Sequence, residues 1–155
     1  SQPQPLALLA GSCGTQFYQF ANACLPARQA RIKMAKILII EDDAALSGSL
    51  AERLKAEGFE VSLALDGEAG LKILETSKPD LILLDLVLPR KTGFEVLSEL
   101  KKRKETAAIA VLVLTNLDSP FDIEKALQFG VVKGYLVKAN YSLDEVVKKI
   151  EQILV

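Results

Sequence analysis

Short apolar runs alternate with longer amphipathic segments from residue 36 to the end of the chain. The apolar runs predict five strands, at Lys36–Ile40, Glu60–Ala64, Leu81–Leu84, Ala110–Leu114 and Tyr135–Val137. Several are continuous Val, Ile and Leu sequences, which is typical of strands buried on both faces. Because a helical segment separates each strand from the next, the pattern predicts an α/β fold, a doubly wound parallel sheet with helices on both faces.

Residues typical of helix ends mark the helices between these strands. The first helix is predicted over Ala44–Glu57, and Gly58 is expected just beyond it, where glycine often closes a helix. Capping patterns open three further helices, namely Thr92 with Glu95, Ser119 with Pro120, and Ser142 with Glu145. The chain is therefore expected to contain five strands and five helices in regular alternation.

Composition excludes several classes of function. The 155 residues allow one domain of ordinary size, and the formal net charge of −1 gives no sign of a nucleic-acid surface. The basic run Lys101–Lys104 is expected to be a solvated helix end. No apolar stretch approaches the roughly 18 residues of a membrane helix. The sequence contains no histidine, which excludes histidine acid–base catalysis, His-ligated zinc and a role as phosphohistidine donor.

The first 33 residues differ from the remainder and are predicted to be a leader outside the domain at 34–155. They contain Cys13, Cys24 and no acidic residue, and they show no sustained period. A disordered tail, a remnant of a targeting or cloned leader, and upstream sequence from a misassigned start all remain open. Met34 is the only methionine and favours the last explanation. The two thiols are more simply incidental than a disulfide pair.

Five polar residues follow the apolar runs at their carboxyl ends. Asp42 and Asp43 follow the first strand, Asp85 the third, Thr115 the fourth and Lys138 the fifth. In an open parallel sheet the carboxyl ends of the strands lie at one edge, where ligands bind. Three carboxylates, a hydroxyl and an ammonium at that edge predict a magnesium-dependent phosphoryl acceptor.

Each residue has a role in this chemistry. Magnesium prefers oxygen ligands, so the three aspartates and the backbone carbonyl of Val87 are predicted to bind it. Asp85 would be the nucleophile that forms an acyl phosphate. Lys138 would offset charge, and the hydroxyl of Thr115 would donate a hydrogen bond to a phosphoryl oxygen. Taken singly, Asp43 fits a helix N-cap, Thr115 a strand end and Lys138 a solvated charge; the combination favours the site.

The motifs IIEDD, LILLDLVLPRKTG, VLVLTN and GYLVKA resemble those of the receiver domain of bacterial two-component response regulators, over Met34–Val155. The resemblance implies a flavodoxin-like fold with strand order 2-1-3-4-5, the order of the family's chemotaxis regulator. It implies that Asp42 and Asp43 are the acidic metal-binding pair, that Asp85 is the phosphoacceptor, and that Thr115 and Lys138 are the switch hydroxyl and the family's lysine.

The resemblance extends to regulation and partners. Tyr135 matches the aromatic switch position, whose ring turns inward on activation, and an output face would include Phe121, Ile123 and Leu127. The implied partners are a sensor histidine kinase or histidine phosphotransfer protein and a downstream protein, with Mg²⁺ as cofactor and a cytoplasmic location. Such a protein catalyses only its own phosphorylation and dephosphorylation and is not otherwise an enzyme.

Four positions depart from the family pattern. Ala139 replaces the usual proline after the lysine, so the family's cis peptide is expected to be lost. Asn116 occupies a place where a smaller residue is common and is expected to narrow access to the phosphoryl group. Val87 and Leu117 are apolar and cannot orient water for attack on the phosphoryl group. The sequence therefore predicts slow self-dephosphorylation.

The preferred interpretation is a single-domain phosphorylation switch that signals by protein binding, since the last helix ends the chain and direct DNA binding is not expected. The alternative is a receiver-fold interaction module that is not phosphorylated. A haloacid-dehalogenase-type hydrolase is disfavoured because Val87 stands where its second aspartate would be. A flavin-binding protein is disfavoured because EDDAAL replaces a phosphate-cradling loop.

Overall fold

The computed structural model describes residues 34–155, and the predicted leader with Cys13 and Cys24 lies outside that range. The elements in chain order are β1 (Lys36–Ile40), α1 (Ala44–Ala56), β2 (Glu60–Ala64), α2 (Gly67–Thr76), β3 (Leu81–Leu84), α3 (Gly93–Lys102), β4 (Ala110–Thr115), α4 (Pro120–Leu127), β5 (Val132–Val137), a short 3-10 helix (Lys138–Asn140) and α5 (Leu143–Leu154). Within this range no helix is both long enough and apolar enough to cross a membrane.

All strand pairs are parallel, in the order β2-β1-β3-β4-β5. The predicted fold class and strand order are therefore confirmed. Because β1 and β3 lie side by side at the centre, the residues that follow them are brought together at the carboxyl edge of the sheet. Ile40 pairs with Leu84 at the last step of this register.

Alternate residues of each strand face opposite sides of the sheet and form two cores. On β1, Ile37 and Ile39 pack with the buried residues of α1 and α5, whereas Leu38 and Ile40 pack with those of α2, α3 and α4. Both cores share the same five strands. The central strands are buried on both faces, which explains their continuous apolar sequences.

The predicted helix ends are confirmed. Thr92 and Ser142 each form a complete capping box with the glutamate three residues later, and Ser119 caps α4 ahead of Pro120. Gly58, just past α1, has a φ of 101°, a left-handed conformation that glycine adopts without strain.

Strand β5 is longer than predicted, because it begins at Val132 and not at Tyr135. Lys133 and Gly134 interrupt the apolar run in the sequence, but the ladder to β4 continues past them, because a register shift next to Val111 skips Lys133 and pairs Gly134 with Leu112. A Cβ atom on Gly134 would lie 2.9 Å from Leu112 Cδ1, so a side chain there would meet the core.

Candidate functional site

Three carboxylates meet beyond the carboxyl ends of β1 and β3. Oxygen atoms of Glu41, Asp42 and Asp85 all lie within 4.8 Å of one another. Glu41 and Asp85 are buried, with 3% and 5% of their surfaces exposed, and Asp42 is exposed. The backbone holds the first two in place, since Glu41 N donates to Ala64 O and Asp85 N donates to Ile40 O, both at 3.0 Å.

The structure brings Glu41, and not Asp43, together with Asp42 and Asp85. Asp43 is the N-cap of α1, and its Oδ1 accepts hydrogen bonds from the backbone N–H groups of Ala45 at 3.0 Å and Leu46 at 3.2 Å. One oxygen of its carboxylate therefore caps the helix, and the third carboxylate of the cluster belongs to Glu41. The sequence contained a signal for this outcome, because an aspartate directly before a helix is a preferred N-cap.

Lys138 lies against two of these carboxylates. Its Nζ is 2.6 Å from Glu41 Oε2 and 2.9 Å from Asp85 Oδ2, and 17% of its side chain is exposed. Burial by itself would lower the pKa of Lys138, but the hydrogen bonds to Asp85 and Glu41 outweigh it, and the net pKa is raised. Lys138 is therefore a firmly held cation at the site.

The acidic groups outnumber this cation. Burial raises the pKa of Glu41 to about 7, although its hydrogen bonds to Lys138 and the Asp43 backbone act in the opposite direction and the charge of Asp85 adds to the rise. The cluster thus contains three carboxyl groups and one ammonium group. The excess negative charge favours the binding of a further cation. Hard oxygen donors in this number suit magnesium.

Both oxygens of Asp85 have partners. Oδ2 contacts Lys138, and Oδ1 accepts a hydrogen bond of 3.1 Å from the backbone N–H of Val87. The side chain of Val87 is 56% exposed and points no polar group at the site. Asp85 is therefore oriented by one ammonium and one backbone amide.

Thr115 and Tyr135 are joined through a single residue. Thr115 is fully buried at the end of β4, and its Oγ1 accepts the N–H of Leu117 at 3.4 Å. The Tyr135 hydroxyl donates to the carbonyl of Leu117 at 2.8 Å. Burial raises the pKa of Tyr135 to about 12, and the negative charges of Asp122, Asp118 and Asp85 add to this effect.

Three of the four positions that depart from the family pattern, Val87, Asn116 and Ala139, are exposed, whereas Leu117 is partly buried against the core. Ala139 lies in the 3-10 helix that follows β5, and no peptide bond within residues 34–155 is cis. Lys138 keeps its contacts with Glu41 and Asp85 in this backbone conformation.

The fold and this site define the class of the protein. The family model described as "Response regulator receiver domain" matches residues 37–151. The chain belongs to this family, whose members act in phosphoryl-transfer signalling.

Among curated proteins, the chain is similar to the alkaline phosphatase synthesis transcriptional regulatory protein PhoP of Bacillus subtilis. The two are 38% identical over 119 residues, 77% of this chain and 48% of the relative. The transcriptional regulatory protein CpxR of Klebsiella pneumoniae is 40% identical over 121 residues, 78% of this chain and 50% of the relative. The chain thus spans about half the length of these relatives.

Solved structures give the same result. A CheY-like response regulator receiver domain protein from Methanospirillum hungatei has a TM-score of 0.72 and 28% identity, covering 78% of this chain and 94% of that one. The receiver domain of a sensor histidine kinase from Pseudomonas aeruginosa has a TM-score of 0.70 and 25% identity, covering 78% and 98%. A magnesium ion is coordinated in the active-site cleft of the latter structure.

Proposed function

We propose that this chain is a magnesium-dependent phosphorylation switch that accepts a phosphoryl group on Asp85 from the phosphohistidine of a sensor kinase or phosphotransfer protein. The observation that carries the proposal is the environment of Asp85. Its carboxylate lies between the Lys138 ammonium and two further carboxyl groups, at the carboxyl edge of the sheet. This arrangement combines a nucleophile with groups that attract a cation and a phosphoryl group.

The transfer forms one bond and breaks one. A carboxylate oxygen of Asp85 attacks phosphorus, the bond from phosphorus to the donor's histidine nitrogen breaks, and that nitrogen keeps the electron pair. Lys138, already 2.9 Å from Asp85, offsets the negative charge that the phosphoryl oxygens bring. Because Thr115 Oγ1 accepts from Leu117, its hydroxyl hydrogen is free to donate to a phosphoryl oxygen.

The residues present fit a magnesium ion. Glu41, Asp42, Asp85 and the backbone carbonyl of Val87 would hold it, with Asp43 excluded by its capping role. A bound Mg²⁺ supplies positive charge to the phosphoryl oxygens and to the carboxylates that would otherwise repel them.

The phosphorylated form is proposed to bind a downstream protein through α4 and β5. Phe121 and Leu127 are apolar side chains on α4 with 71% and 49% of their surfaces exposed. Exposed apolar side chains of this size suit partner docking. The path from the site to this surface is the hydrogen bond from Tyr135 to the Leu117 carbonyl, which precedes α4.

The test is the intact mass of the protein after incubation with acetyl phosphate, with and without Mg²⁺. We expect a gain of one phosphoryl group that requires Mg²⁺ and is absent in Asp85→Asn. No gain in a sample shown to be folded would contradict the proposal and would favour an interaction module that is not phosphorylated.

A matched pair of variants tests the proposed metal ligands. Glu41→Gln removes a carboxylate from the cluster, and we expect a higher Mg²⁺ requirement. Asp43→Asn changes an adjacent carboxylate while keeping a good N-cap, so its Mg²⁺ requirement should match that of the wild type. The reverse result would restore the pair predicted from sequence.

A further inference from the structure

The loop that carries Asp85 rests against the turn between β2 and α2. This loop, residues 85–92, is called the acceptor loop below. A Cβ atom on Gly67, the first residue of α2, would lie 2.4 Å from Lys91 O and 2.7 Å from Lys91 Cβ. These distances are far below van der Waals contact, so the backbone of Lys91 occupies the space that a side chain at position 67 would need.

A second contact joins the same two segments. Arg90 has a φ of 69°, a left-handed conformation that is uncommon for residues other than glycine. Its Nε lies 3.4 Å from Asp66 Oδ2, while Asp66 Oδ1 caps α2 by accepting from Ala69 N at 2.8 Å. An ion pair whose arginine is exposed adds little stability. The left-handed backbone at Arg90, in the loop that carries Asp85, instead suggests that this contact helps to position the loop.

The two ends of the acceptor loop also lie in close contact with each other. Gly93 N donates to Leu86 O at 3.0 Å, and a Cβ on Gly93 would lie 2.5 Å from Asp85 O. Only a few residues therefore separate Lys91 from Val87, whose N–H orients the Asp85 carboxylate. A displacement of the Lys91 backbone would therefore be transmitted to Val87 and to the Asp85 carboxylate.

We propose that Gly67, assisted by Asp66, is a positioning residue for phosphoryl transfer. The β2–α2 turn presses on Lys91 and holds the acceptor loop in the conformation that directs the Asp85 carboxylate and the Val87 carbonyl into the site. The functional part of this inference rests on the proposed function. The structural part, that the turn fixes the loop, stands independently of it.

Two glycines three residues apart on α2 provide a matched comparison. Gly67→Ala places a methyl group against the backbone of Lys91. Gly70→Ala places one 2.5 Å from Ile40 Cδ1, the end of a side chain in the core, with no atom of the acceptor loop among its nearest neighbours. Both variants are expected to lose thermal stability, but only Gly67→Ala should displace the loop.

Two measurements separate these variants. By titration calorimetry we expect Mg²⁺ affinity to fall by about tenfold in Gly67→Ala, as for other changes behind metal ligands, and by less than twofold in Gly70→Ala. By NMR hydrogen exchange, the Gly93 amide should exchange faster in Gly67→Ala relative to core amides such as that of Leu83, and not in Gly70→Ala. Asp66→Asn keeps a capping side chain. Its Mg²⁺ affinity and the exchange of its Gly93 amide should change in the same directions as in Gly67→Ala, but by less.

The outcomes distinguish the inference from the function on which it rests. Equal Mg²⁺ affinity and equal relative exchange of Gly93 in the two glycine variants would overturn the positioning role. If the wild type neither binds Mg²⁺ nor gains a phosphoryl group, the proposed function fails, and the exchange comparison still decides whether Gly67 fixes the acceptor loop.

Discussion

Among single residues, Lys138 makes the contacts on which the buried charges most depend. Replacing it by Met keeps most of the side-chain volume but leaves Glu41 and Asp85 buried without their shared donor. We expect Lys138→Met to lower the free energy of unfolding by about 1–3 kcal/mol at pH 7 without Mg²⁺, measured by urea denaturation. The exposed Lys72→Met should change it by less than about 0.5 kcal/mol. Equal stabilities would contradict the role of Lys138.

The raised pKa of Tyr135 predicts that the stability of the fold depends on pH in the alkaline range. The pKa of Tyr135 is raised to about 12, because burial and neighbouring carboxylates disfavour the phenolate, whereas an unfolded tyrosine ionises near pH ~10. The stability from the neutral phenol is complete below pH ~10 and is lost between pH ~10 and ~12, where unfolding releases a proton. Absorbance titration near 295 nm should show a phase near 12 that Tyr135→Phe lacks, and that variant should lose less stability over this range. A titration unchanged in Tyr135→Phe would refute this.

Val87 and Leu117 set the expected lifetime of the phosphorylated form. Neither side chain can orient water, so self-dephosphorylation should be slow. Val87→Asn introduces a polar group at an exposed position next to Asp85 and should speed the loss of phosphate by about tenfold or more, in the range of positioned polar groups in catalysis. Leu65→Asn, a similar change at another exposed apolar residue, should not change the rate at which phosphate is lost. The rates are measured from intact mass after removal of the donor.

The sequence analysis put the candidate site at the carboxyl edge of the sheet but did not include Glu41 in it. Asp85 and Lys138 were found because each directly follows an apolar run that becomes a strand of the sheet. Glu41 was missed because three acidic residues stand in a row, and periodicity alone does not say which of them faces the pocket. The outcome depends on a tertiary contact, Lys138 to Glu41, and on the amides of α1 that engage Asp43.

At the level of elements, the capping box of α3 offers a local test. Thr92 Oγ1 accepts from Glu95 N at 3.2 Å, and Glu95 Oε1 accepts from Thr92 N at 3.1 Å. These bonds hold the pKa of Glu95 below its usual range. We expect Thr92→Ala to lower the free energy of unfolding by about 1 kcal/mol and Thr92→Ser to change it much less, by urea denaturation. A similar loss in both variants would show that the cap hydrogen bond is not the cause.

Element types and most of their ends follow from local sequence, and the exceptions come from strand pairing. The capping residues act within four positions of one another, so the sequence displays them directly. The start of β5 cannot be recognised in this way. Lys133 and Gly134 interrupt its apolar run, and the strand extends back to Val132 only because it pairs with β4. Pairing across the sheet decided this boundary against local preference.

For the whole molecule, the sheet order was predictable only through the resemblance to a known family. The alternation of strands and helices indicates a parallel sheet but allows more than one order. In the observed order, β1 and β3 are central neighbours, and this adjacency brings Glu41 and Asp42 to Asp85. The proposed function therefore depends on the order of the strands, which local patterns do not specify.

The same topology predicts that residues 34–155 form an independent folding unit. The core residues of both sheet faces run from Ala35 to Ile150, and the family match covers 37–151. A protein beginning at Met34 should therefore unfold with the same urea dependence as the 155-residue chain, to within about 0.5 kcal/mol. It should also gain a phosphoryl group from acetyl phosphate at the same rate. A larger loss of stability, or a slower gain, would mean that residues 1–33 contribute to the domain, and the boundary at Met34 would be wrong.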